Sequence, residues 1–413
     1  MAKKERKELN KEEWTSRFTL VGEAVVNEFT CKIDQTSDKS DWVWNQINLN
    51  VDCGEKYGKV GCELMNGYGS DRDNVIYVHG KKDDGTDDFK NSYTIDWEDR
   101  FDEDILKDIG NLCYIRVGLE KTDKDKTFYK DFLTGYDAIA YINEHLENGT
   151  VIKVDGQLRY SVYNGEIQCK KEITSLVLSS ATPDKYRATF TQTMLLDDES
   201  CTKESLDKDA SVLLVDAYIL EKFKEYNGWD LTENGKVKGG KFVPLKKRFE
   251  FPVDLTTEAG KKKISAVLAS DKMFKVKKDT VTQITFEGEF VESGATVQVT
   301  LDDVPDDIKE LIDIGVYTEE EALKACADSG SRERRMIILK PYTKKVGDED
   351  NKTTVIAYTK EKYSTDDLIF DFLTPKETEE DEDEDGYDVD ETDDTNAEET
   401  ETSDDDSDWL NAL

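Results

Sequence analysis

A chain of 413 residues is long enough for two or three domains, and 93 Asp and Glu against 56 Lys and Arg give it a formal charge of −37. A polyanion of this size does not approach DNA or an anionic membrane except through a locally reversed patch. Seven scattered cysteines with no C-x-x-C pair, and only two histidines (His79 and His145), argue against a disulfide framework and against a Cys/His metal cage.

The lysine-rich start, MAKKERKELNKEEW, reads as a basic arm over 1–16 without the apolar core of a signal peptide. No apolar run reaches the length of a membrane span, and unpaired thiols fit a reducing compartment, so a cytoplasmic protein with no membrane partner is expected. From 17 to 66 the sequence alternates in the strand period, in RFTLVGEAVVNEFTCKI, WVWNQINLNVDC and KVGCELM. Parity on the second of these puts Val43, Ile47, Leu49 and Val51 inside, with Trp42, Trp44, Gln46, Asn48 and Asn50 pointing out. An insertion over 67–131 follows, and its part from 83 carries 15 acids against 8 bases. It predicts a short helix near Ile105–Ile109 and a strand at CYIRVGL. TGYDAIAYINEHLENG is a helix with Thr134 as N-cap, an apolar stripe of Ala138, Ile139, Ile142 and Leu146, and Gly149 at its stop. A hairpin comes next, turned by Asn164-Gly165 as a type I′ signal.

The pattern then recurs. Strands YRATFTQTMLL, SVLLVDAYIL and KFVPLKKRFEFPVDL precede a helix, AGKKKISAVLAS, and a glycine-centred strand, VTQITFEGEFVESG. Ile152-x-Val154-x-Gly156-x-Leu158 matches Ile284-x-Phe286-x-Gly288-x-Phe290, as an internal repeat does. An acidic helical pair is predicted over 303–328, with Pro305 in its first turn and Thr318 and Glu321 as a capping box. The expected fold is mainly β with minor α, as tandem OB barrels. One barrel spans 17–181 and an OB-like second spans 182–345, followed by an extension over 346–373. The tail, 374–413, holds 20 acids and one lysine and is expected to be disordered.

An OB barrel presents an open face suited to single-stranded nucleic acid. YINEHLENGTVIKVDGQLRYSVYNGEIQCKKEITSLVL resembles the helix-to-hairpin segment of the bacterial and phage single-stranded DNA-binding (SSB) family. Gly149, Val154, Gly156, Gln157, Leu158 and Arg159 fit its glycine and G-Q-L-R pattern, and Leu20-Val21-Gly22 is similar to its first strand. Tyr163 stands where that family places an aromatic that stacks on bases. The resemblance covers residues 141–178 and that fragment; Ser161 and Val162 depart from it by replacing basic positions, and 67–131 is longer than its counterpart. It implies a protein that coats single-stranded DNA in phage-type replication or recombination. It also implies an acidic tail tip that docks replication or recombination proteins. SDDDSDWLNAL is similar in design, with Asp404, Asp405, Asp406, Trp409, Leu410 and Leu413 as the partner-binding residues, although it lacks the family's Pro-Phe ending.

Parity sorts the hairpin without any family. Leu158, Tyr160 and Val162 share the core side, whereas Gln157, Arg159, Ser161 and Tyr163 share the exposed side. Two tryptophans above a row of amides on β-strand 42–51 offer stacking worth ~1–3 kcal/mol per base, unless the insertion covers them. Residues 240–280 hold 11 bases against five acids, a candidate phosphate track of Lys246, Arg248, Lys275 and Lys277, in which parity points Lys246 and Arg248 outward and Lys247 inward with Phe249 and Phe251. Arg332, Arg334 and Arg335 form a smaller patch, while Glu287 and Glu289 make the second hairpin a poor DNA platform. The helical pair is too acidic for duplex recognition, with ten acids and two lysines over 302–328. An EF-hand from Asp381 fails at Thr392, its twelfth position. No nucleotide loop or nucleophile motif occurs, so no enzyme, metal or cofactor is expected. The competing reading is an acidic protein-interaction or nucleic-acid-mimicking module that binds no DNA.

Overall fold

Ten strands carry the fold in a computed structural model that describes residues 6–232, 235, 239–293, 304, 308–309, 312, 318, 333–347 and 352–369. The first five are β1 (Ser16–Val25), β2 (Trp42–Asp52), β3 (Lys59–Gly69), β4 (Val151–Tyr163) and β5 (Glu166–Leu178). β1 pairs with β2, β2 with β3 over its whole length, and β5 with β4, all antiparallel. β3 meets β5 in parallel at Glu63 and Glu172, and β4 returns to β1, closing the order 1-2-3-5-4-1. Helix α1 (Gly135–His145) lies between β3 and β4 in sequence, and Thr134 accepts from the Asp137 N–H as its cap. Its stripe of Ala138, Ile139, Ile142 and Leu146 is buried, as predicted. The helix stops at His145, ahead of Gly149, whose φ of +82° instead serves the turn that leads into β4.

The second set repeats the first. β6 (Arg187–Leu196), β7 (Val212–Phe223), β8 (Lys241–Pro252), β9 (Thr280–Ser293) and β10 (Glu333–Pro341) close in the corresponding order, with α2 (Glu258–Ala269) between β8 and β9. The parallel contact recurs at Glu250 and Ile337. The fold is mainly β, and each closed five-stranded circuit has the form of an OB barrel. The glycine motif has one steric cause in both. A Cβ on Gly156 would stand 2.0 Å from the Glu172 carbonyl oxygen and 2.5 Å from the Phe18 ring. A Cβ on Gly288 would stand 2.2 Å from the Phe190 ring and 2.4 Å from the Ile337 carbonyl oxygen. Each barrel thus needs a bare strand position where a phenylalanine of its first strand crosses.

The barrels join along their first strands. β1 and β6 pair antiparallel from Ser16 opposite Gln192 to Val21 opposite Arg187, with Phe18 facing Phe190. Glu292 on β9 reaches back to the first barrel, its N–H donating to the Tyr57 carbonyl at 2.9 Å. Its carboxylate takes a buried ion pair from Lys171 on β5, at 2.7 Å.

The insertion builds a hairpin (Val75–Lys81 with Asp87–Asp96), a helical turn (Glu103–Leu106) and a strand pair (Ile115–Lys121 with Thr127–Phe132). A small core of Val78, Ile95 and Ile109 holds the hairpin and the helical turn. The basic arm is docked from residue 7: the Lys7 N–H donates to Asp367 Oδ1 at 2.8 Å, and Leu9 is buried among Leu195, Leu220, Val281, Tyr363 and Leu368. Strand Tyr358–Ser364 pairs with the first half of β9. The predicted helical pair over 303–328, apart from isolated positions, lies outside the described residues, as do Arg332 and the whole acidic tail.

Candidate nucleic-acid interface

Period 2 along β2 to β5 composes one continuous outer face. Trp44 stands opposite Gly67, Gln46 opposite Met65, and Asn48 opposite Glu63. Beyond β3, Glu172 of β5 faces Gln157 of β4, Lys170 faces Arg159, and Glu166 faces Tyr163. Because β5 runs parallel to β3, the hairpin tip projects past the Lys59 end of β3, whereas Trp42 and Trp44 lie at its Gly67–Gly69 end. The tryptophans and Tyr163 therefore bracket the face, separated by roughly ten residues of strand, ~33 Å.

Asn164 and Gly165 both have positive φ, 49° and 77°, as a two-residue hairpin turn requires, and they hold Tyr163 at the tip with its ring 42% exposed. Tyr160, on the other parity, is buried with its hydroxyl donating to Gln192 Oε1 at 3.1 Å. Arg159 is exposed as expected, but its Nε donates to Glu172 Oε2 at 3.0 Å, so its charge is already partly answered.

The tryptophan strand needs a correction. Gln46, expected to point out to solvent, is 2% exposed. It is flanked in the sheet on both sides, by Lys32 of strand Cys31–Thr36 and Met65 of β3. Trp42 and Trp44 are half-buried, as is Val43, which was expected inside, while Asn48 is exposed. Trp42 Nε1 and Gln46 Oε1 are buried without a hydrogen-bond partner among the described residues. Asn45, on the core side, is fully used: it accepts from the Asp34 N–H at 2.7 Å and donates to the Tyr136 carbonyl at 2.9 Å. Sequence parity also missed Phe29, 68% exposed beside Thr30, whose carbonyl accepts from the Asn48 N–H. An aromatic set between Asn27 and Thr30, the two polar residues that make the turn, was the available signal.

The basic track keeps its predicted parity and loses much of its charge. Lys246 is exposed, with its ammonium 5.6 Å from the centre of the Tyr218 ring. Arg248 is exposed but donates twice to Asp216, at 2.8 and 2.9 Å, and holds that carboxyl below its ordinary range. Lys277 pairs with Glu361 at 3.3 Å, and Lys261 with Glu258 at 3.2 Å. Lys275 is exposed and has no ion-pair partner among the described residues. Lys247 turns inward, and burial lowers its pKa. In the second barrel Glu287 pairs with Lys340, and Glu289 is held by Lys56, so that hairpin offers no cationic face.

One constellation in the insertion has the composition of a nucleophilic site. His79 Nε2 lies 2.8 Å from Asp87 Oδ1, and Cys113 Sγ lies 3.2 Å from His79 Nδ1. The same sulfur is only 3.8 Å from Nε2, so it sits over the ring and not along the Nδ1 lone pair. Burial also pushes the Cys113 thiol up, away from the thiolate that such chemistry needs. Among the described residues no group of three or more His, Cys, Asp or Glu is placed to hold a metal, and no helix is long and apolar enough to cross a membrane.

No curated protein matches the chain. Among solved structures, a deletion mutant of the single-stranded DNA binding protein from Thermus aquaticus aligns over 68% of this chain and 88% of its own. The identity is 9% and the TM-score 0.28, and at that score the likeness carries no argument. The sequence pattern of the YorF family matches residues 81–302, from within the insertion to beyond the end of β9. That is more than half of the chain, and the protein belongs to the YorF family.

Proposed function

We propose that the protein binds single-stranded DNA along the outer face of β2, β3, β5 and β4, without catalysing a reaction on it. The observation that carries this reading is the Tyr163 ring, exposed at a rigid hairpin tip on the face that Trp42 and Trp44 bound at the other end. An exposed flat ring is suited to stacking on a base, and Asn48 supplies a hydrogen-bonding edge between the two ends. In this reading Asp404–Asp406, Trp409, Leu410 and Leu413 serve as a hook for replication or recombination proteins.

Titration with single- and double-stranded oligonucleotides over a salt series tests it. Single strands are expected to bind more tightly than duplex. The salt slope is expected to be shallow, at ~0.7 per phosphate neutralised, because Arg159, Arg248 and Lys277 already hold carboxylates. That same neutralisation favours a second reading, an acidic protein-interaction module. Equal affinity for duplex, or no binding to either at low salt, selects it.

A further inference from the structure

Next to the β1–β6 junction lies a cavity of about 760 Å³, open on one side, within the ~300–1,000 Å³ of ligand pockets. Its walls include Trp14 of the arm, Phe89 of the insertion, Tyr342 after β10, and Tyr358 of the last strand, with Lys11 and Lys344 among its polar groups. Four aromatic side chains from four separate segments converge on one space. The Phe89 ring is 66% exposed there.

Arg17 connects this cavity to the outer face. It stands on β1 directly opposite Gln157 of β4, two residues from Arg159. Its guanidinium lies 5.6 Å from the centre of the Tyr342 ring, and Nη2 donates to the Tyr342 hydroxyl at 3.4 Å. Arg17 has no carboxylate partner among the described residues, unlike Arg159 and Arg248. From Arg159 to Arg17 is about two residues along one strand and one step across to the next, ~7 and ~5 Å. Lys11, on the cavity wall, is held by Glu221 at 3.0 Å, and burial lowers its pKa.

We propose that this cavity receives an unstacked nucleobase of a single strand that continues from the outer face, with Arg17 meeting its phosphate. The inference rests on the reading that the outer face binds single-stranded DNA. The chemistry of the walls selects a base over other occupants. Lys11 and Lys344 are held by Glu221 and Glu13, at 3.0 and 2.7 Å, so the charge left to answer is that of Arg17. Duplex cannot enter, and a purely apolar ligand brings no anion to Arg17. An uncharged aromatic side chain of a peptide leaves the Arg17 charge unanswered. A nucleotide brings a π-face for the rings, a polar edge for the wall, and an anion for Arg17.

The test uses the full chain and oligothymidylates of two lengths, one long and one just able to span from Trp44 to Tyr163. Phe89→Ala is expected to weaken the long oligonucleotide about fivefold or more and to leave the short one unchanged, since removing a stacked ring costs at least about that factor. Phe89 is exposed, with its ring centre 4.6 Å from that of His79, so melting curves accompany this variant. Tyr342→Ala is expected to do the same, with melting curves run alongside. Photocrosslinking of a 5-iodouracil oligonucleotide to the unaltered protein supplies a readout independent of any substitution, with adducts expected on peptides holding Phe89, Tyr342 or Tyr358. If Tyr163→Ala is impaired while Phe89→Ala binds both lengths normally and no cavity peptide crosslinks, the cavity is not a base site and the outer-face reading stands. Equal loss for both lengths also overturns the proposal. If no variant changes affinity, or no single strand binds, both readings fall.

Discussion

Replacing Lys171 with alanine tests how the two barrels are held together. Lys171 Nζ lies 2.7 Å from Glu292 Oε1, and the two side chains are 8% and 5% exposed. At an effective dielectric of ~20, unit charges at that distance attract by about 6 kcal/mol. The ammonium also lies 4.7 Å from the centre of the Phe290 ring, worth ~0.5–2 kcal/mol. Against this, removing two ions from water costs several kcal/mol each, so the intact pair contributes little net stability. Breaking it differs, because Glu292 then remains buried without its counter-charge. Lys171→Ala is expected to cost ~3–5 kcal/mol in urea unfolding followed by tryptophan fluorescence. Lys171→Met combined with Glu292→Leu removes both charges at similar volume and is expected to return to within ~1 kcal/mol of the unaltered protein. A loss under ~1 kcal/mol for the single change, or a double variant as unstable as the single, refutes a dry inter-barrel contact.

Other consequences follow from burial and close packing. Burial pushes the Cys53 and Cys201 thiols up to about 12 and Cys31 up to about 11. The folded chain therefore keeps protons that the unfolded chain has released above ~pH 8.5, so this stability is full below that pH and lost on approach to 11–12. Melting temperatures should fall steadily from pH 8 to 11, and a flat profile would contradict it. Gly156→Ala and Gly288→Ala should each destabilise by ~1–3 kcal/mol or more, since the new methyl meets a carbonyl oxygen of the adjoining strand; unchanged thermal melts would show that the strands are not so close. Lys247→Met should raise the melting temperature, because burial depresses the Lys247 pKa and the substitution removes a desolvated charge. A lower melting temperature would mean that the ammonium is stabilised where it lies.

The parts of the fold that were legible depend on local periodicity. Tyr160 and Tyr163 were sorted correctly because parity and the Asn164-Gly165 turn are properties of adjacent residues. The repeat was legible because close strand approach demands glycine at both Gly156 and Gly288. Gln46 was misread since parity names a side of the sheet and not whether that side is covered, and the strands that flank it are not its neighbours in sequence. The basic track was overvalued for a similar reason. Counting charges finds Arg248 and Lys277 but not Asp216 and Glu361, which only strand pairing brings beside them. The inter-barrel pair did leave a trace: Lys171 follows Ile167 and Cys169 on a core parity, and Glu292 follows Phe286, Gly288 and Phe290. A charge at a core position of each barrel predicts a partner, which is what the fold supplies. The cavity left none, since its four aromatics lie far apart in sequence.

The claim that the outer face binds single-stranded DNA is tested most directly by the equilibrium affinity of Tyr163→Ala for an oligothymidylate at low salt. Tyr163 is exposed and makes no core contact that its loss would break, so the melting temperature should not change. The account predicts an affinity lower by about fivefold or more, the least that one lost stacking ring costs. Affinity equal to that of the unaltered protein, with binding otherwise intact, would contradict it.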